Sequence, residues 1–209
     1  MIRPLATAAA LSLAALPVAA TAQDVTLSFG VAITSDYISR GLSQTGGRPA
    51  IQPYAEVGLA GFYAGIWASN VRFPGDRDRV EVDLYVGFAN EVGQFSYDIG
   101  YARYFYDRSG NCCGEILLSL GSEAPFGASF STDLAYDPSA EIWAGSLGAA
   151  YSFDGGLTVS AEVGRQQSSH NFWNLGLGME VNEFTGLDLR VHDTNVTGAR
   201  LVASVFFDF

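Results

Sequence analysis

The side chains that could do chemistry fall into three groups. Ser168-Ser169-His170 sets hydroxyls beside an imidazole, and His192-Asp193 sets a second imidazole beside a carboxylate, the parts of a nucleophile–base–acid arrangement. Such a triad works only if three groups converge in space. Adjacent Ser and His side chains on a strand or loop point apart, so the reading is not an enzyme, with a lipid hydrolase kept as an alternative. Cys112 and Cys113 are the cysteines of the chain, and as neighbours they cannot build a disulfide framework. That leaves a vicinal disulfide, an intermolecular bridge, or two free thiols. Two histidines and an adjacent Cys pair lack the spacing of a tetrahedral metal site, and no phosphate-binding glycine loop occurs, so no metal or other cofactor is expected. The third group is acidic: Glu56, Glu81, Asp83, Asp98, Glu115, Asp133, Glu162 and Asp188 all fall on the polar faces of alternating segments, opposed there by Arg190 and Arg200. The chemistry open to that set is electrostatic, the attraction and passage of cations.

The segments that carry these acids read with period 2, and no helical period of convincing length appears. In "RVEVDLYVGFAN", Val80, Val82, Leu84, Val86 and Phe88 share one face, and Glu81, Asp83, Tyr85 and Gly87 the other. "EILLSLGS", "LTVSAEVG" and "GLDLRVHD" repeat the dyad. About twelve such strands follow, at roughly 25–35, 50–59, 62–70, 79–90, 94–106, 115–122, 128–137, 141–153, 157–165, 172–180, 186–193 and 199–209. Short turns at 60–61, 91–93 and 154–156 alternate with longer polar connections at 36–49, 71–78, 107–114, 166–171 and 194–198; 138–140 is a short exception.

The ends of the chain look like addresses. Arg3, the apolar run Leu5 to Ala20, and Ala20-Thr21-Ala22 make a secretory signal peptide over 1–22, leaving 23–209 as one β domain. Nothing later is apolar for long enough to make a membrane helix. At the other end "ARLVASVFFDF" puts Leu201, Ala203, Val205, Phe207 and Phe209 on one face and finishes in Phe, the form of a signal read by the barrel assembly machinery, with Phe207 and Phe209 at its tip.

Composition supports a membrane address. The chain is 48% hydrophobic with only 16% charged residues, and it sets 22 acids against 11 arginines, one of them Arg3, with no lysine. That acidity argues against nucleic acid as a partner. A soluble sandwich would show water a polar face rich in Lys, Glu and Thr; here that face is glycine, tyrosine, serine and isolated acids. Short turns alternating with long loops, and an apolar face on strands of about ten residues, predict an all-β fold, a transmembrane antiparallel up-and-down barrel with both ends in the periplasm.

"SDYISRGLSQT", "PAIQPYAEV", "GFYAGIWASNV", "EVDLYVGFAN" and "YDIGYARYFY" resemble the proteobacterial outer-membrane family labelled TorF porins, over nearly all of the mature chain. The motif residues are Ser35, Tyr37, Arg40, Gly41, Ser43, Gln44 and Thr45, in the first external loop. The chain departs from the family where "YFYDRSGNCC" replaces a Tyr-Tyr-Pro-Gly ending. The resemblance implies an integral outer-membrane barrel. Arg40 has two readings: it ties down loop carbonyls or Asp36, the favoured one, or it folds into the pore as a selectivity charge.

Twelve strands enclose a narrow bore. The expected activity is passive diffusion of small solutes with a cation bias; a closed structural or adhesin-like barrel, its acids bound up in a hydrogen-bonded plug, is the competing class. Arg103 and Arg165 interrupt outward apolar faces, at a cost of roughly 2–4 kcal/mol each if they sat at the bilayer midplane. Both come late in strands that run outward, which places them at the external rim among membrane lipid and lipopolysaccharide phosphates.

Overall fold

In the computed structural model residues 25–209 are described, and the expected leader over 1–22 lies outside them. Twelve antiparallel strands close into one barrel: β1 (Thr26–Thr34), β4 (Ala50–Leu59), β5 (Phe62–Asn70), β6 (Val80–Val92), β7 (Phe95–Tyr106), β8 (Gly110–Ala124), β9 (Ala128–Asp137), β10 (Ile142–Ser152), β11 (Leu157–Gln166), β12 (His170–Asn182), β13 (Thr185–Thr194) and β14 (Arg200–Asp208). Each strand pairs with its neighbour in sequence, and β14 returns to β1 with Gly30 opposite Asp208 and Thr34 opposite Ser204. Closure removes every sheet edge, as a bilayer requires of a spanning sheet. The remaining strands, β2 (Ile38–Ser39) and β3 (Leu42–Ser43), form a separate two-stranded ribbon inside the first long connection.

The period-2 reading fixes which way each side chain points. Val80, Leu84 and Val86 of β6 are 40%, 48% and 54% exposed, facing outward, whereas Glu81, Asp83 and Tyr85 are buried in the lumen. At the C-terminal seam Phe209 stacks on Phe29 and Phe184, with ring centroids 5.7 and 5.9 Å apart, and exchanges two backbone hydrogen bonds with Phe29. The connections at one end are short: 60–61, 93–94, 125–127, 153–156 and 183–184. Ala60 and Gly61 both take positive φ, 54° and 88°, as a two-residue hairpin of type I′ demands.

One expected connection is not a loop. β8 begins at Gly110, so the bend is only 107–109, and Cys112 and Cys113 lie in the strand at an irregularity where Tyr104 pairs Cys113 and Phe105 pairs Asn111. The two sulfurs are joined in a vicinal disulfide. A bulge puts an extra residue on one strand and bends it locally, which is how two adjacent cysteines are accommodated there without ending the ladder.

Inside the barrel, rings lie over glycines. Tyr63 opposes Gly87 and Tyr85 opposes Gly65 across the β5–β6 pair. A Cβ on Gly65 would come within 2.3 Å of the Tyr85 ring and hydroxyl, and one on Gly87 within 2.2 Å of the Tyr63 hydroxyl. The strand glycines are notches that let large side chains lie flat against the wall.

Candidate functional site

The first long connection does not stay outside the barrel. Tyr37 and Ile38 are each 6% exposed and Thr45 is 1% exposed. Tyr37 meets Trp67 edge-on at 5.4 Å and belongs to one core cluster with Tyr63, Trp67, Val71 and Tyr85. The motif residues build this inward fold. Ser35 exchanges hydrogen bonds with the backbone of Ala203. The Ser43 hydroxyl donates to Asp36 Oδ1 at 2.6 Å, and the Thr45 hydroxyl accepts the Tyr37 N–H at 3.2 Å and lies 2.7 Å from the same Asp36 oxygen. Gln44 donates its N–H to the Tyr37 carbonyl and accepts from Arg72 N–H, tying the ribbon to the second long connection.

The ribbon's two-residue tip, Arg40-Gly41, again has positive φ at both positions, 48° and 81°. A Cβ on Gly41 would lie 2.5 Å from Thr194 Cγ2 and 2.8 Å from Phe172 Cβ, so the tip rests on the β12–β13 wall, two to three strands round the mouth from β1, where the ribbon starts. Arg40 donates to both Glu115 oxygens at 2.8 Å and to Gln166 Oε1 at 3.3 Å, with Tyr104 donating a third hydrogen bond to Glu115 at 2.8 Å. Burial alone would lower the Arg40 pKa, but the Glu115 hydrogen bonds and charge raise it above its ordinary value. The favoured reading, in which Arg40 ties down loop carbonyls or pairs with Asp36, gives way to the pairing with Glu115. Asp36 is taken by Arg200 at 3.4 Å, and Arg40 reaches into the lumen, where it neutralises an acid. Local spacing could not reveal a partner 75 residues away.

The tip is also held by His170, which lies 2.6 Å from the Arg40 carbonyl through Nε2 while Ser169 Oγ sits 2.8 Å from its Nδ1. The expectation that Ser169 and His170 point apart is corrected by this contact. Because a carbonyl can only accept, Nε2 carries the proton and Nδ1 receives the serine's. The outer nitrogen is committed to the ribbon rather than to a carboxylate. Asp193 caps the N–H of Thr194 and pairs across the sheet with Trp173, on the face opposite to the buried His192. Among the described residues no group of three or more His, Cys, Asp or Glu converges to hold a metal.

Below the ribbon the lumen divides. Tyr54, Tyr63, Trp67, Tyr85, Tyr104 and Tyr106 fill the side of β4 to β7. On the side of β7 to β12 a cavity of about 210 Å³ runs from Arg40 at the top to Glu91 and Glu123 near the short turns, past Asp98, Asp133, Glu162 and Arg190. The expected inward acids are mostly satisfied. Tyr63 donates to Asp98 at 2.6 Å, Ser119 to Asp133 at 2.6 Å, and Asn174 to Glu162 at 2.6 Å. Arg190 lies over Gly176, bonded to Asp188, Asn174 and Ser160. Glu56 shares a cross-strand row with Gly65 and Tyr85. Asp208, missed in the sequence, also points inward and accepts from Tyr54 at 2.9 Å; its position eight residues, four full alternations, after Arg200 was the available signal.

Among the described residues, every arginine except Arg190 lies at or near the end of the barrel that bears the long connections. Arg103 and Arg165 sit there on β7 and β11, Arg103 donating to Asn111 Oδ1 at 2.6 Å. At this rim Asp78 clasps two loops, accepting from the Ser109 hydroxyl and from the N–H groups of Ser109 and Arg108. The Ser109 hydroxyl first, then those N–H groups, hold its carboxyl below the usual 3.8.

A bacterial family described as of unknown function, Gcw_chp, matches residues 18–202. The KdgM porin superposes with a TM-score of 0.65 at 11% identity, over 88% of this chain and 98% of that one; a KdgM structure with disordered oligogalacturonate gives 0.64 at 11%, over the same shares. The NanC porin gives 0.53 at 12%, over 88% and 98%. Outer membrane phospholipase A from Escherichia coli gives 0.50 at 12%, over 87% and 89%. A search of curated proteins finds no match. At these identities the likeness concerns the fold, which is that of the outer-membrane barrels.

Proposed function

The chain belongs to the Gcw_chp family, and from that premise we propose that it is an outer-membrane channel for small solutes, cation-biased, whose external mouth is narrowed by the 35–49 ribbon. The observation that carries this reading is the cavity of about 210 Å³ that leads from Arg40 toward the short-turn end, with Glu91, Asp98, Glu123, Asp133 and Glu162 in its wall. The resemblance to TorF porins and the fold shared with KdgM and NanC support it. In this reading the leader is cleaved, the barrel assembly machinery folds the domain, and the long connections face outward, where Arg103 and Arg165 meet lipopolysaccharide phosphate.

Oligogalacturonate, present with KdgM, carries carboxylates, so an acid-lined lumen favours a different cargo, small cations and neutral solutes. The ribbon's contacts favour a second reading, a closed structural barrel. A lipid hydrolase has less support, since His170 spends its outer nitrogen on the Arg40 carbonyl. Reversal potentials in planar bilayers under a KCl gradient separate the channel from the other two, and release of fatty acid from phospholipid separates those from each other. Potassium should pass better than chloride, and neutralising Asp133 and Glu162 together should reduce that preference. A chloride preference overturns the charge argument, and silence under all conditions overturns the channel.

A further inference from the structure

Glu81 and Asp83 stand at alternate positions on the inner face of β6, each 5% exposed. Their Glu81 Oε2 and Asp83 Oδ1 atoms are the buried side-chain oxygens that lack a hydrogen-bond partner among the described residues. The other Glu81 oxygen accepts the Tyr106 hydroxyl at 3.2 Å. Cross-strand pairing sets Ser69 and Tyr106 beside Glu81, and Trp67 and Tyr104 beside Asp83. The ribbon brings Tyr37 edge-on to Trp67, in one cluster with Tyr104 and Tyr106. Burial first, then the charges of Glu81 and Asp83, hold the Tyr37 phenol well above its ordinary range, which fits a hydroxyl near the two acids. The nearby guanidiniums are engaged elsewhere, Arg40 on Glu115 and Arg200 on Asp36.

Two carboxylates withdrawn from water, each with an oxygen facing no donor, call for positive charge in their place. We propose that Glu81 and Asp83 form a binding site for a small monovalent cation stripped of its water, of the alkali-ion or primary-ammonium class. The two unpartnered oxygens supply the charge. Trp67, opposite Asp83 across the sheet, and Tyr37, edge-on to Trp67, supply the aromatic surround that suits a monovalent, weakly hydrated ion. A divalent ion asks for six or more oxygen ligands, and among the described residues no third acid converges here to hold a metal. An ion so placed binds strand β6 and the ribbon at once, through the acids on one side and the Tyr37 ring on the other.

Binding at this site needs no ion flow, so an equilibrium titration tests it separately from the channel reading. Trp143 and Trp173 are exposed on the outer face, and replacing both with Phe leaves Trp67 as the single tryptophan, excited selectively at the red edge where tyrosine does not absorb. The refolded barrel in detergent is titrated with KCl, and separately with methylammonium chloride, against N-methylglucamine chloride at constant ionic strength. A saturable change in Trp67 emission is expected, weakened roughly tenfold or more in E81Q/D83N. Heat-modifiable migration checks that this variant folds; if it does not, D83N and Tyr37→Leu each serve alone and should weaken binding. A response that never saturates with either cation, or curves unchanged in the folded variants, overturns the site.

Discussion

Replacing Arg40 with Ala tests the ribbon as a latch. The side chain makes two 2.8 Å hydrogen bonds to Glu115 and one to Gln166, with Arg40 and Glu115 side chains each 14% exposed. Removing one partner of a fully buried ion pair costs roughly 3–5 kcal/mol; residual exposure reduces that here to about 2 kcal/mol. Since the lost contacts hold the ribbon in the mouth, the same energy moves its in-to-out ratio by roughly thirtyfold. His170 and the Gly41 seat remain, so the barrel itself stays folded. Single-channel recording of R40A should show more frequent or larger openings and a stronger potassium preference, because a positive charge has left an acidic lumen. Arg40→Lys keeps the charge but not the fork, and should fall between R40A and the native protein. In R40A/E115Q, removal of the stranded carboxylate should recover part of the stability lost in R40A. Conductance and selectivity of R40A indistinguishable from native would refute the latch.

Deleting Phe209 removes the ring stacked on Phe29 and Phe184 together with both backbone bonds to Phe29; folded, heat-modifiable protein in outer membranes should drop severalfold while export across the inner membrane is unchanged, and an unaltered folded yield counts against the assembly signal. Replacing Arg103 and Arg165 with Leu should leave folding intact and weaken lipopolysaccharide co-purification, each lost guanidinium–phosphate contact being worth about 1.5–3 kcal/mol; full retention would show that these arginines do not contact it. The Asp78 carboxyl is held below its ordinary 3.8, so its clasp contributes fully above that value and is lost as pH falls through the depressed one. Limited proteolysis of the long connections should therefore be flat from pH 8 to pH 5 and rise only in stronger acid, whereas D78N should be cleaved faster throughout. A native profile already rising between pH 6 and pH 5 would contradict that sign.

The barrel was legible because its solvent differs on the two faces of every strand. Lipid selects Val80, Leu84 and Val86 outward, and that alternation survives in the sequence without any knowledge of partners. Strand count, direction and the inward acids all follow from it. What escaped depends on contacts between distant segments. Nothing near Arg40 announces Glu115, and nothing near Cys112 says that the ladder continues through the pair by a bulge instead of ending in a loop. The Ser169–His170 contact was misjudged for a related reason. It forms at a turn entering β12, where strict alternation has not yet begun, and where the Arg40 carbonyl anchors the imidazole from the other side.

The reciprocal packing of Tyr63 over Gly87 and Tyr85 over Gly65 separates calibre from architecture. Strand number fixes the circumference of the wall, but the free cross-section is what remains after the rings have been laid into their notches. Shortening one ring would leave a void of that ring's volume in the packed β4–β7 side of the lumen, above a glycine floor already shaped to be smooth. Adding a methyl to one notch would lift a ring off the wall. A lineage can therefore reshape the filled side of the barrel by single substitutions at such pairs, with hydrogen-bond register and strand order left as they were.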